Sequence, residues 1–159
     1  MTSAETDTAP PLSLSPDEAT AVADAAAAFA AALPPGRDEP YRALAAVAQT
    51  RTVSAELVET LGRVCALALE TGKARQIGRA ESERLLTGVL LRTPRGRSMV
   101  KQIADVNRAL GQLAGRQLDG ARLTWRMPGH YDLSLTVGGF ALTLAIGRDG
   151  VCVRNLHIG

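Results

Sequence analysis

The residues best equipped for chemistry lie in "RTPRGRSMVKQI", positions 92–103. Thr93 and Pro94 read as the cap and first residue of a helix, so Arg92, Arg95, Arg97 and Lys101 crowd a helix start. That end of a helix already carries partial positive charge, and bases gathered there need something negative beside them. Backbone N–H groups of Gly96, Arg97 and Ser98, ringed by guanidinium groups, have the chemistry of a phosphate or carboxylate site. A second basic stretch, "KARQIGR" at 73–79, adds Arg75 and Arg79. Arg75, Arg79, Arg92, Arg95, Arg97 and Lys101 are therefore the expected anion- or nucleic-acid-binding residues. Two plainer readings compete with this one. The first is a solvated Arg-rich loop, and the second is pairing with acidic groups of the same chain or of another copy.

The charge layout sharpens the question. Residues 1–40 hold seven acids against Arg37, a net −6, while residues 73–126 hold twelve bases against four acids, a net +8; the whole chain is +2. Such asymmetry points to an anionic partner or an internal match. Arg outnumbers Lys by sixteen to two and Ala is abundant. This is the habit of a GC-rich genome, so Arg excess alone says little about phosphate. Nucleic-acid binding needs little beyond phosphate contacts, but Trp125 is the one aromatic in the basic stretch, so no stacking platform for single strands is visible. A helix-turn-helix with "RTPRGRS" as its turn is disfavoured because Val100, Ile103 and Leu110 read as core.

Other motifs fail on spacing. "ETGKA" at 70–74 lacks the first glycine of a phosphate loop (Leu67 stands there), and Ala74 replaces the hydroxyl that would hold magnesium. "GRSMV" at 96–100 lacks the second glycine of a nucleophile elbow. His130, Asp132 and Ser134 share one strand face, but such neighbours are about 7 Å apart per step, too far for a triad. A wet strand face is the expectation for them. No close-spaced ligand pair joins His130, His157, Cys65 and Cys152, so no metal is expected. Cys65 lies on an apolar helical stripe and reads as core. The pairs Glu56/Glu59 and Glu81/Glu83 read as exposed helix faces, with Glu81 meeting Arg84 and Arg79 meeting Glu83. No catalytic residue and no cofactor is expected.

The elements that position these residues follow from periodicity. A chain of 159 residues, 46% hydrophobic and 21% charged, is globular. Residues 1–14 are polar, acidic and aperiodic, and are expected to form a disordered tail. Ser15, Pro16, Asp17 and Glu18 open a first helix that "PPG" at 34–36 ends. A second runs from Pro40 to about Thr50, and a third follows Ser54 with Leu57, Val58, Leu61, Val64, Cys65 and Ala68 as its stripe. After the basic connector, a fourth presents Leu85, Leu86, Val89 and Leu90. The fifth is the helix after Thr93, with Val100, Ile103, Val106, Leu110 and Leu113. At residue 121 the period changes to two. "ARLTWRM", "HYDLSLTV", "FALTLAI" and "VCVRNLHI" are four strands joined by Pro128-Gly129, Gly138-Gly139 and "GRDG". Leu123, Trp125 and Met127 share one side of the first strand. The inward side of the fourth is ambiguous.

The expectation is one α+β domain over 15–159, about five helices (15–118) packed on a four-stranded antiparallel meander (121–158). Helices three and five should cover its apolar face. The opposite face is small at its middle: Ser134, Thr136, Ala141, Thr143 and Ala145. Two separated cysteines and no positive n-region suit a soluble bacterial cytoplasmic protein without a membrane partner. The expected function is a non-catalytic binding or adaptor protein, self-associating or meeting a protein partner, with a basic anion-binding patch. The alternative is a nucleic-acid-binding protein using the cluster at 73–101. A small phosphate-ligand enzyme ranks third.

Overall fold

A computed structural model describes residues 10–148 and 150–158. It is a mixed α+β chain, five helices followed by a four-stranded antiparallel sheet. The elements in order are β1 (Leu12–Ser13), α1 (Pro16–Ala32), α2 (Glu39–Ala48), β2 (Thr52–Val53), α3 (Ala55–Glu70), α4 (Lys73–Arg92), α5 (Pro94–Gly111), β3 (Leu118–Met127), β4 (His130–Val137), β5 (Phe140–Gly147) and β6 (Gly150–Ile158). Contacts gather into two compact units, the first ending at Arg97 and the second beginning at Ser98 within α5. The expectation of one domain over 15–159 made no such division.

The first unit is built from α1–α4. Ser15 and Glu18 close a reciprocal capping box, with the Ser15 N–H donating to Glu18 Oε2 at 2.8 Å and the Glu18 N–H to Ser15 Oγ at 3.2 Å. Val22, Leu44, Val58, Leu61, Val64, Cys65, Leu86 and Val89 are fully or almost fully buried in one cluster. The stripe of α3 thus belongs to this helical core and not to the cluster that closes on the sheet. Its apolar partners come from α1, α2 and α4.

The tail expectation divides. Residues 1–9 lie outside the described residues. Over 10–14 it is corrected: Leu12 and Leu14 are buried on either side of Ser13, and β1 pairs antiparallel with β2, Leu12 opposite Val53. The Leu14 N–H donates to the Arg51 carbonyl at 2.8 Å. Two leucines at period two have enough apolar surface to dock a short strand.

The basic connector is also different. Residues 73–79 are largely helical, but Gly78 (φ −140°, ψ 26°) and Arg79 (φ 58°, ψ −146°) break α4. The break interrupts the helical register that would bring Arg79 to Glu83, and Glu83 pairs with Arg75 instead, Nε to Oε2 at 2.6 Å. Arg84 and Glu81 pair at 2.6 Å as their spacing predicts.

In the second unit the strands lie in the order β3-β4-β5-β6, each antiparallel to its neighbour. Val106 and Ala109 of α5 are buried against Leu142 and Leu144 of β5. One helix, about 10 Å across, covers roughly two strands spaced about 4.8 Å apart. The apolar face over β3 therefore stays open: Leu118, Leu123 and Trp125 are 54%, 62% and 63% exposed.

Candidate functional site

The α4–α5 corner gathers Arg92, Arg95 and Arg97. Thr93 is fully buried and extended (φ −77°, ψ 160°). Its hydroxyl donates to the Leu90 carbonyl at 2.7 Å and accepts from the Gly96 N–H at 3.2 Å, so it caps α5 as its position in the sequence implies. Gly96 is required by closeness: a Cβ there would stand 1.9 Å from the Leu90 carbonyl oxygen.

The Arg92 charge at this corner is matched locally. Arg92 ends α4, where a cation is favourable. Its Nη2 meets Glu18 Oε1 at 2.7 Å, and its Nη1 donates to the Ser13 carbonyl at 2.9 Å. Glu18 belongs to the acidic N-terminal segment, so for Arg92 the negative partner lies in the same chain. Burial raises the Glu18 carboxyl, but the Ser15 N–H and the Arg92 guanidinium outweigh it and hold the group below the usual carboxylate range. Arg97 Nη1 donates to the Arg92 carbonyl at 2.7 Å. Arg95 is half-buried. Its Cβ stands 3.4 Å from where a Cβ on Gly62 would be.

The other expected site residues lie elsewhere. Arg75 pairs with Glu83, and Arg79 is exposed at the break in α4. Arg79 is thirteen residues from Arg92, about 20 Å along a helix. Lys101 is exposed and belongs to the second unit. Arg92 and Arg97 line a shallow hollow of about 220 Å³ with Pro10, Pro11 and Ser13.

A second constellation occupies the small-residue face of the sheet. Ladder partners share a face, and two register shifts change which residues those are. Trp125 pairs with Tyr131, but Met127 pairs with His130, leaving Arg126 as the extra residue of a bulge. Met127 therefore sits on the His130 face, not with Leu123 and Trp125 as simple alternation predicts. On β6, Leu144 pairs with Val153 and Thr143 with Asn155, so Arg154 is the extra residue of a second bulge. This settles the ambiguous side of β6: Val151, Val153 and Leu156 face the core, with Cys152, Asn155 and His157 opposite.

Both bulged arginines reach Asp132 on β4. Arg126 Nε stands 2.8 Å and Arg154 Nη1 3.3 Å from the same oxygen, Oδ2. Ala145 lies between Asp132 and Cys152 across the sheet, and its single methyl leaves room for Arg154 to cross β5. Asp132 is 7% exposed, and its Oδ1 is buried with no hydrogen-bond partner among the described residues. His130 lies against Gly147, where a Cβ would come 2.8 Å from Nδ1. Among the described residues no hydrogen bond links His130 to Asp132. A cavity of about 540 Å³ opens here, lined by these groups with Met127, Ile146 and Cys152.

Sequence reasoning treated His130 and Asp132 as a wet strand face and did not single out Arg126 or Arg154. The signals were present. A two-residue Pro-Gly turn pairs Met127 with His130, which conflicts with placing them on opposite faces. In β6 the apolar positions switch from odd (151, 153) to even (156, 158), which requires an inserted residue.

Among the described residues no group of His, Cys, Asp and Glu is arranged to hold a metal ion, and no helix is long and apolar enough to cross a membrane. Cys65 is buried, and burial pushes its thiol up to about 12, which makes it a core residue rather than a nucleophile. Cys152 is exposed. The class of protein is thus set by fold alone, an α+β chain with a helical unit and a helix-on-meander unit. No family model, curated protein or solved structure matches it.

Proposed function

We propose that this chain is a non-catalytic binding protein that self-associates through the open apolar side of its second unit. The observation that carries the reading is the row Leu118, Leu123 and Trp125 on the edge strand β3, with Tyr131 beside Trp125 on β4. These four side chains expose roughly 500 Å² together, above half of the about 800 Å² per partner in a standard interface. β3 is an end strand of its sheet, so its outer backbone groups are also open to pairing with a second β3. The second copy is the occupant that satisfies both features at once. The Glu18–Arg92 pair supports a role for Arg92 in holding α1 to α4. A bacterial cytoplasmic setting fits the two free cysteines.

The test is the mass of the purified protein by light scattering, with and without nuclease. The proposal expects a nuclease-resistant dimer that Trp125→Glu converts to a folded monomer. A monomeric wild-type protein at tens of micromolar overturns it. A mass that falls on nuclease treatment favours nucleic acid as the partner of Arg75, Arg79, Arg92, Arg95, Arg97 and Lys101. That reading is weakened by the ion pairs that already occupy Arg75 and Arg92.

A further inference from the structure

We propose that the cavity over Asp132 is a binding site for a small organic oxyanion, a phosphate or carboxylate carrying an apolar body. The site adjoins the proposed dimer surface at Tyr131, which lines the cavity, but ladder pairing puts Asp132 and Trp125 on opposite faces of the sheet.

The charges favour an anion. Among the described residues one buried carboxylate faces two guanidinium groups, which leaves one positive charge unmatched. Both arginines converge on Oδ2. Each guanidinium has five N–H donors in a planar fork suited to a carboxylate or phosphate, and one contact to Asp132 leaves most of them for another acceptor. Their side chains are about half exposed, 52% and 48%, while that of Asp132 is 10% exposed. Asp132 is thus the floor that holds the two cations in place, and both arginines line the cavity. The buried Oδ1 without a partner shows that the carboxylate is not locked into paired, bidentate contacts with either arginine.

The local structure is built for convergence. A bulge re-aims a side chain and is a recurrent feature beside binding sites. Here two bulges, on strands separated by β4 and β5, deliver two arginines to one carboxylate. Small residues between them keep the path clear. The rest of the wall combines apolar side chains, Met127, Ile146 and Val151, with Gln102 of α5 and Tyr131. A volume of about 540 Å³ lies within the range of about 300–1,000 Å³ usual for small-molecule sites. Bare inorganic phosphate would fill little of it.

The test is titration of the full-length protein with phenyl phosphate, benzoate, inorganic phosphate and benzyl alcohol. Binding is followed by calorimetry and by the ring C–H resonances of His130. Phenyl phosphate or benzoate, whichever source of the oxyanion fits, should bind saturably and shift His130. Inorganic phosphate should bind at least tenfold more weakly, and benzyl alcohol should not shift His130. Arg154→Gln leaves Asp132 paired with Arg126, so the carboxylate is not stranded, and it should weaken the oxyanion at least tenfold. Wild-type protein whose His130 resonances respond to neither oxyanion overturns the proposal. So does equal binding of benzyl alcohol, or a folded Arg154→Gln protein with unchanged affinity.

Discussion

Leu61 and Leu123 are the same residue in two units with opposite fates. Leu61 is fully buried between helices, and Leu123 is 62% exposed on a strand. The difference extends across the two units. In the first, four helices and a two-stranded ribbon enclose a continuous core, and Leu91 is its one exposed large hydrophobic residue among those described. In the second, one helix lies on four strands, and Val106, Ala109, Leu142 and Leu144 are all that close in its core cluster. Apolar residues were supplied to both at similar density. What differs is covering area. A helix on a sheet wider than itself leaves apolar surface unsatisfied, and exposed apolar surface is where a partner gains most.

The largest expected effect breaks or confirms this contrast directly. Leu61→Ala should destabilise the first unit by about 2–5 kcal/mol, the range for a buried leucine truncated to alanine. Leu123→Ala should change the stability of the monomer by less than about 0.5 kcal/mol, because the site is already wet. Chemical denaturation at dilutions that populate the monomer measures both, and equal losses would show that Leu123 is covered. A smaller effect sharpens the account of the first unit's edge. Thr93→Val keeps shape but removes the cap and leaves the buried Gly96 N–H without its acceptor, so a loss of about 1–2 kcal/mol is expected on denaturation. The smallest is electrostatic. The Glu18 carboxyl is depressed in the folded state, so its contribution is present above the ordinary value of 4.5 and disappears as pH falls through the lowered folded value. Arg92 is partly exposed and screened, so the effect should be about 1 kcal/mol or less. Thermal melts from pH 6 to pH 3 should fall less steeply for Glu18→Gln than for the wild type.

The same contrast bears on what was readable in advance. The Ser15 and Thr93 caps, the helix order and the three hairpins depend on residues within a few positions of each other, and each appears where the local pattern placed it. The Glu81–Arg84 pair is legible for the same reason. Arg79 and Glu83 are spaced for a pair as well, but the break at Gly78 and Arg79 hands Glu83 to Arg75. The bulge at Arg126 was legible in principle, from a conflict between turn pairing and alternation, yet alternation alone concealed it.

By itself the sequence determined the five helices in order, the four-stranded meander and the Ser15 and Thr93 caps, since periodicity, prolines, glycines and hydroxyls act on the backbone within one or two turns. Only the tertiary structure decided which carboxylate meets which guanidinium. Glu18 with Arg92 and Asp132 with Arg154 are separated by many residues, and an ion pair forms where packing and register bring two charges within about 4 Å. The same holds for the docking of Leu12 and Leu14, for the enclosure of α3 among helices, and for the bare strand β3. Burial is a property of what lies opposite a side chain, and no local pattern records that.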